Sequence, residues 1–252
     1  MLGVSDAGTR MGRVGAMSDL LDGPDTSAAA WDRVWSSHSY RLDRIRSERA
    51  RIKIAAAIAV GMEFADSDRV LDLACGSGHN LIEAAARLSG NARLFGSDIS
   101  AVALDRARRN FERARLDAKL VRAEWPRLPF RSGAIDKVIA FMAPFPAVIR
   151  EIERVLAPGG KLFMVALSSD SITSVLYRVW ESIVPGPFDD SRNYPARELI
   201  SALGQSLVVE EWNIVQSGSE RQFSGALDRV IARWVPRWGR YVVVRCAKRL
   251  AR

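Results

Sequence analysis

Apolar positions follow two rhythms along this chain. Short, nearly continuous apolar runs alternate with segments in which apolar residues return every three or four positions. Val70–Ala74 is such a run, interrupted only by Asp72, and suits a buried parallel strand. Asn80–Leu88 then sets Leu81, Ala84, Ala85 and Leu88 on one face, the pattern of an amphipathic helix. The same alternation predicts strands at Leu94–Asp98, Ala118–Ala123, Ala134–Met142 and Lys161–Leu167. It predicts helices over Ser100–Leu116, with Ser100 as N-cap, and over Pro146–Leu156, with Val148, Ile149, Ile152 and Val155 turned inward.

The flanks follow less regular patterns. Trp31–Tyr40 reads as a short helix and turn. Leu42–Phe64 reads as a long helix whose Ile45, Ile52, Ala55, Ala56 and Val60 can pack on a sheet. Beyond Ser168, Ser171–Ile183 and Ala196–Leu203 look helical, and the Pro/Gly/Asp loop Pro185–Pro195 separates them. Leu207–Val215 and Tyr241–Cys246 look like strands, with Leu227, Val230, Ile231, Trp234, Val235 and Trp238 at helical spacing between them. No internal repeat is visible. The segment 1–27, rich in Gly, Ser and Asp, is expected to be disordered, and 28–252 to form one domain.

The junction after the first strand carries the chemistry. Ala74-Cys75-Gly76-Ser77-Gly78 is a small-residue turn, and glycine lets the backbone turn sharply and approach a ligand without a Cβ in the way. Asp98 closes the second strand 20 residues after Gly78, where a Rossmann-type unit bonds a ribose diol. Nicotinamide enzymes share that acid. The dinucleotide fingerprint needs a third glycine where Leu81 stands, however, and Asp72 disfavours a pyrophosphate. An ammonium and a sulfonium suit Asp72 better, and S-adenosylmethionine carries both.

From Ile52 to Leu167 the chain resembles the class I S-adenosylmethionine-dependent methyltransferases, within the group that includes quinone-biosynthesis and natural-product enzymes. The motifs that carry the resemblance are Val70-Leu71-Asp72-Leu73-Ala74-Cys75-Gly76-Ser77-Gly78, Asp98-Ile99, Ala123-Glu124-Trp125-Pro126-Arg127-Leu128-Pro129-Phe130, Ile135–Ile139 and Arg154–Lys161. The resemblance implies a Rossmann-like α/β fold, a three-layer αβα sandwich. Its seven-stranded sheet would be mostly parallel and end in an antiparallel strand pair. It implies S-adenosylmethionine as cofactor, S-adenosylhomocysteine as product, and a loop, Ala74, Cys75, Gly76 and Gly78, that holds the methionine end with Asp72. Asp98 then takes the ribose hydroxyls, Ile99 and Trp125 lie beside the adenine, and Glu124 accepts its amino group. Phe141 completes the cofactor-binding set. Ala74 stands where the family usually has its leading glycine, and Trp125 where it usually has a small residue.

Composition adds limits. A chain of 252 residues holds one well-buried α/β domain with extensions. Cys75 and Cys246 are the two cysteines; three strand spacings of about 4.8 Å would separate them by roughly 14 Å, too far for a disulfide. A reducing cytoplasm fits, and no Cys/His cluster suggests a metal. The longest apolar stretch, near Ile54–Met62, is shorter than the roughly 20 residues of a spanning helix, and the start shows no signal-peptide pattern. The net charge is +8, and arginine supplies 32 of the 37 basic residues. Arg106, Arg109, Arg113 and Arg115 lie on one predicted helix and read as solvated. A nucleic-acid surface stays open on charge alone.

Methyl transfer is an in-line displacement at an activated carbon, so the protein supplies orientation and, for a hydroxyl or ammonium acceptor, removal of a proton. His79 after the loop, with His38 and Tyr40 in the N-terminal segment, are the candidate catalytic groups. Each histidine also reads as a cofactor hydrogen-bond donor or a surface residue. Ala140–Phe145 lacks the Asn/Asp-Pro-Pro-aromatic signature of amide and nucleobase-amine methylation and offers apolar walls instead. The expected acceptor is therefore a small or lipid-like molecule held between an N-terminal lid, 28–45, and insertions within 168–238. Gly225–Trp238, with Arg229, Arg233 and Arg237, reads as a helix over the sheet edge or as an acceptor lid. An RNA-modifying enzyme and a non-catalytic cofactor-binding protein are the alternatives.

Overall fold

The computed structural model describes residues 27–37, 50, 54, 62–88, 92–124, 127–141, 148–167, 169, 194–215 and 241–250. His38, Tyr40, Trp125 and the predicted helices Ser171–Ile183 and Gly225–Trp238 lie outside them, as does most of Leu42–Phe64.

Seven strands form one sheet: β1 (Arg69–Leu73), β2 (Arg93–Asp98), β3 (Ala118–Arg122), β4 (Ile135–Phe141), β5 (Leu156–Leu167), β6 (Val208–Val215) and β7 (Tyr241–Ala247). Their order is β3-β2-β1-β4-β5-β7-β6. The first five run parallel, and β7 pairs antiparallel with both β5 and β6, which confirms the mostly parallel sheet with an antiparallel end. The described helices are α1 (Ala28–Ser37), α2 (His79–Ala85), α3 (Ala101–Ala114), α4 (Ile149–Val155) and α5 (Ala196–Ser206).

The apolar runs are nearly continuous because each strand serves two cores. Side chains alternate across a sheet, so Val138 and Ala140 face one side and Ile139 and Phe141 the other. The first side joins Leu71, Leu73, Leu162, Met164 and Val244 to Ile152 of α4 and Leu199 and Leu203 of α5. The second joins Val70, Phe163, Val165 and Val243 to Leu81 of α2 and Ala107 and Phe111 of α3, with Ile54 and Met62 beneath. Burying one such large side chain contributes about 1.5–3 kcal/mol.

Element boundaries moved where local chemistry intervened. Ser100 caps α3 as expected, its hydroxyl accepting from Ala103 N at 3.1 Å, but the helix stops at Ala114 because Arg115 adopts a left-handed conformation, φ 52°. Strand β5 starts at Leu156 rather than Lys161. Leu156 already pairs with Ile135, and the next pairing, Lys137 with Lys161, leaves Ala157–Gly160 as a bulge. Cys75 lies two residues beyond β1. It and Cys246 are both free and buried, three strands apart. Among the described residues no helix is long and apolar enough to cross a membrane, and no three His, Cys, Asp or Glu side chains form a metal site.

Candidate functional site

Strand order reverses on either side of β1: β2 lies next to it on one side and β4 on the other. The crevice outside the carboxyl ends of such strands is where open parallel sheets bind ligands. The loop after β1 lines this crevice in a tight conformation. Ala74, Gly76 and Gly78 all have positive φ, 60°, 53° and 78°. Gly76 has a further constraint, since a Cβ there would lie 2.7 Å from the indole of Trp35. A Cβ on Gly78 would meet the Phe111 ring at 2.4 Å, so this glycine also lets α3 close against the loop.

Three contacts fix the loop. Cys75 N donates to Ser97 O at 2.9 Å, Gly76 N donates to Asp98 Oδ2 at 2.8 Å, and Asn110 Nδ2 of α3 donates to Ser77 O at 2.9 Å. Asp98 is buried at the tip of β2, and Ser100 N donates to its Oδ1 at 2.9 Å. Each carboxylate oxygen therefore takes a backbone N–H and keeps acceptor capacity for a ligand. Burial pushes the Asp98 carboxyl above its usual range, against the pull of those N–H donors.

Asp72, fully buried, accepts from Asn80 Nδ2 at 3.2 Å. Burial chiefly, then the charges of Asp72 and Asp98, drive the Cys75 thiol well above its ordinary value. That thiol is an inert packing group: a Cβ on Gly96 would sit 2.9 Å from its sulfur. Two buried acids flanking one glycine loop give a site that attracts positive charge.

The remaining predicted residues are more dispersed. His79 opens α2, half-buried, directly after the loop, and Ile99 is half-buried beside Asp98. Glu124 is exposed just past β3, and its carbonyl accepts from Arg127 N at 3.1 Å. Phe141 ends β4 inside the core, edge-on to Phe163 with ring centroids 5.8 Å apart.

Sequence reading missed several groups that hold this site. Arg154 of α4 donates to both oxygens of Glu151, to Phe130 O at 2.7 Å and to Leu128 O at 2.9 Å, while Glu151 accepts from Leu128 N at 2.8 Å. This ion pair pins the segment after Glu124, and its i, i+3 spacing was the available signal. Asp32, Trp35 and Asn110 also act here, and no sequence pattern marks them. Arg106 is not a solvated arginine, because its guanidinium lies over the Trp35 ring, 5.9 Å from the centroid. Arg109 pairs with Asp105, and Arg113 and Arg115 are exposed.

A family profile described as a methyltransferase domain matches residues 70–160. Demethylmenaquinone methyltransferase of Thermus thermophilus is 38% identical over 102 residues, covering 38% of this chain and 46% of that protein. 27-O-demethylrifamycin SV methyltransferase of Amycolatopsis mediterranei is 30% identical over 156 residues, covering 58% of this chain and 57% of that protein. The chain thus spans about half the length of these curated relatives. Among solved structures, the complex of the Haloferax volcanii Trm112 methyltransferase activator with a putative methyltransferase matches with TM-score 0.63 at 20% identity, over 86% of this chain and 97% of that one. Sheet order, glycine loop, terminal acid of β2 and these matches agree: the chain carries a methyltransferase domain of the class I family, whose cofactor is S-adenosylmethionine.

Proposed function

We propose that this protein transfers the methyl group of S-adenosylmethionine to a small or lipid-like organic molecule. The observation that carries the reading is Asp98, buried at the tip of β2 and tied through Gly76 N to the glycine loop. The residues present fit the cofactor. Asp98 keeps lone pairs for two ribose hydroxyls, the loop from Ala74 to Gly78 gives close backbone approach to the methionine end, and Asp72 adds negative charge near its cationic groups. On this reading Glu124 accepts the adenine amino group, Ile99 and Trp125 lie beside the ring, and Phe141 belongs to the same cofactor-binding set. When bound, the cofactor supplies a methyl group on a positively charged sulfur.

The chain's own work is then orientation and exclusion of water, with His79, His38 or Tyr40 taking a proton where the acceptor is a hydroxyl or ammonium. The acceptor lies between the N-terminal lid, 28–45, and the insertions of 168–238. Two relatives named for a demethylmenaquinone and a demethylrifamycin support an organic acceptor over RNA. The test is incubation with methyl-labelled S-adenosylmethionine and separate pools of small organic molecules, lipid extract and total RNA. Label in an organic or lipid fraction is the expected result. Label in RNA selects the nucleic-acid enzyme instead. Cofactor binding with no label in any pool selects the non-catalytic protein, and no binding at all overturns the reading.

A further inference from the structure

Helix α1 reaches the site through two residues one turn apart. Asp32 Oδ1 accepts the Ser100 hydroxyl at 2.5 Å and Val102 N at 3.2 Å. Trp35, at i+3 on the same face, lies against Gly76 and beneath the Arg106 guanidinium. Ser100 and Gly76 are also the residues whose backbone N–H groups hold the two oxygens of Asp98, at 2.9 and 2.8 Å. Both supports of the buried carboxylate are therefore touched by one short helix. That helix lies at the surface, and no residue from 27 to 36 is buried. A ten-residue helix is marginal by itself, so its order depends on docking.

We propose that α1 is a lid latched by Asp32 onto Ser100, and that its docking is coupled to ligand binding at Asp98. Asp32 is then a positioning residue, acting through Ser100, and Trp35 closes the crevice over the glycine loop. The inference rests on the assignment of Asp98 to the cofactor. Ser100 joins the two acids: its N–H is committed to Asp98 and its hydroxyl hydrogen to Asp32, while its oxygen caps α3. A ligand that fixes Asp98 fixes Ser100 and Gly76, and thereby presents α1 with an ordered surface. Coupling of this kind is reciprocal: if docked α1 raises cofactor affinity, bound cofactor must raise α1 docking by the same factor.

The experiment pairs calorimetry with amide hydrogen exchange on the full chain, using S-adenosylhomocysteine as the probe. In the wild type the probe should increase protection of the amides of 28–37. Asp32→Ala should bind it roughly tenfold more weakly and lose that gain in protection. Asp32→Asn, which keeps an oxygen for both donors, should restore both. A merely structural role would lower the unfolding midpoint and leave the ligand-induced protection unchanged. Wild-type binding without added protection of 28–37, or Asp32→Ala behaving as wild type, overturns the latch alone. No binding to the wild type overturns the latch together with the cofactor assignment.

Discussion

Gly76 N–H and the Asp98 carboxylate, 22 residues apart in the chain, meet at 2.8 Å and join the end of β1 to the end of β2. The contact orders the glycine loop and aims the acid in one step. Asp98→Ala should therefore do two things. Loss of hydrogen bonds to a charged group, about 1.5–3 kcal/mol, should weaken S-adenosylhomocysteine binding by roughly tenfold to a hundredfold in calorimetry. Exchange of the Gly76 amide should also accelerate. Unchanged affinity would remove Asp98 from the cofactor site.

Affinity should also follow the protonation of Asp98. Ribose hydroxyls donate to the ionised form, and burial holds this carboxyl above the ordinary range near about 4. As pH falls, binding should weaken at a higher pH than an exposed aspartate would dictate. Calorimetry between neutral and mildly acidic pH reads this, and in Asp98→Asn the Asp98-linked drop should vanish.

Ala74 pays a conformational penalty that glycine would not. Its φ of 60° lies in the left-handed region, costing an L-residue about 1–2 kcal/mol, partly offset by the greater freedom of glycine in the unfolded chain. Ala74→Gly should stabilise the fold by up to about 1 kcal/mol in urea titration. A lower midpoint would show that the methyl packing of Ala74 on the core outweighs the strain.

The Arg154 fork serves Glu151 and two carbonyls at once, and a lysine cannot reproduce that geometry. Arg154→Ala should destabilise by about 1–3 kcal/mol through unpaired polar groups, and Arg154→Lys should recover little of it. If Glu124 and Trp125 meet adenine, both variants should also weaken cofactor binding. Wild-type stability in Arg154→Lys would reduce the fork to a point charge.

Arg69 donates from Nε and Nη2 to both oxygens of Asp136, whose backbone partner is Arg69 N. The guanidinium holds the Asp136 carboxyl below its ordinary value. A lowered folded-state pKa contributes stability that is complete above the unfolded value of about 4 and is lost as pH falls through the folded one. The gap in urea midpoint between wild type and Asp136→Asn should accordingly narrow below about pH 4. A gap that stays constant into strong acid would assign the effect to packing.

Much of this protein was legible in its sequence because the signals are local. A strand buried on both faces must be apolar throughout, so β1, β2 and β4 announced themselves within a residue or two. Left-handed turns favour small residues, so Ala74–Gly78 marked the loop, and a terminal acid at the expected distance marked Asp98. Ser100 declared itself as an N-cap by its position before an amphipathic run. Tertiary structure alone decided the partners. That Asp32 reaches Ser100, that Trp35 rests on Gly76 beneath Arg106, and that Asn110 holds Ser77 depends on which helices pack across the sheet. Hydrogen bonds and close contacts between residues 33 to 71 positions apart leave no periodic trace in a single chain. The acids of the site could be read from spacing, and Ser100 and Asn80 hold them from nearby in the chain, while the Gly76 N–H on Asp98 and the Asp32 and Trp35 contacts of α1 are set by folding, because they come from elements remote in sequence.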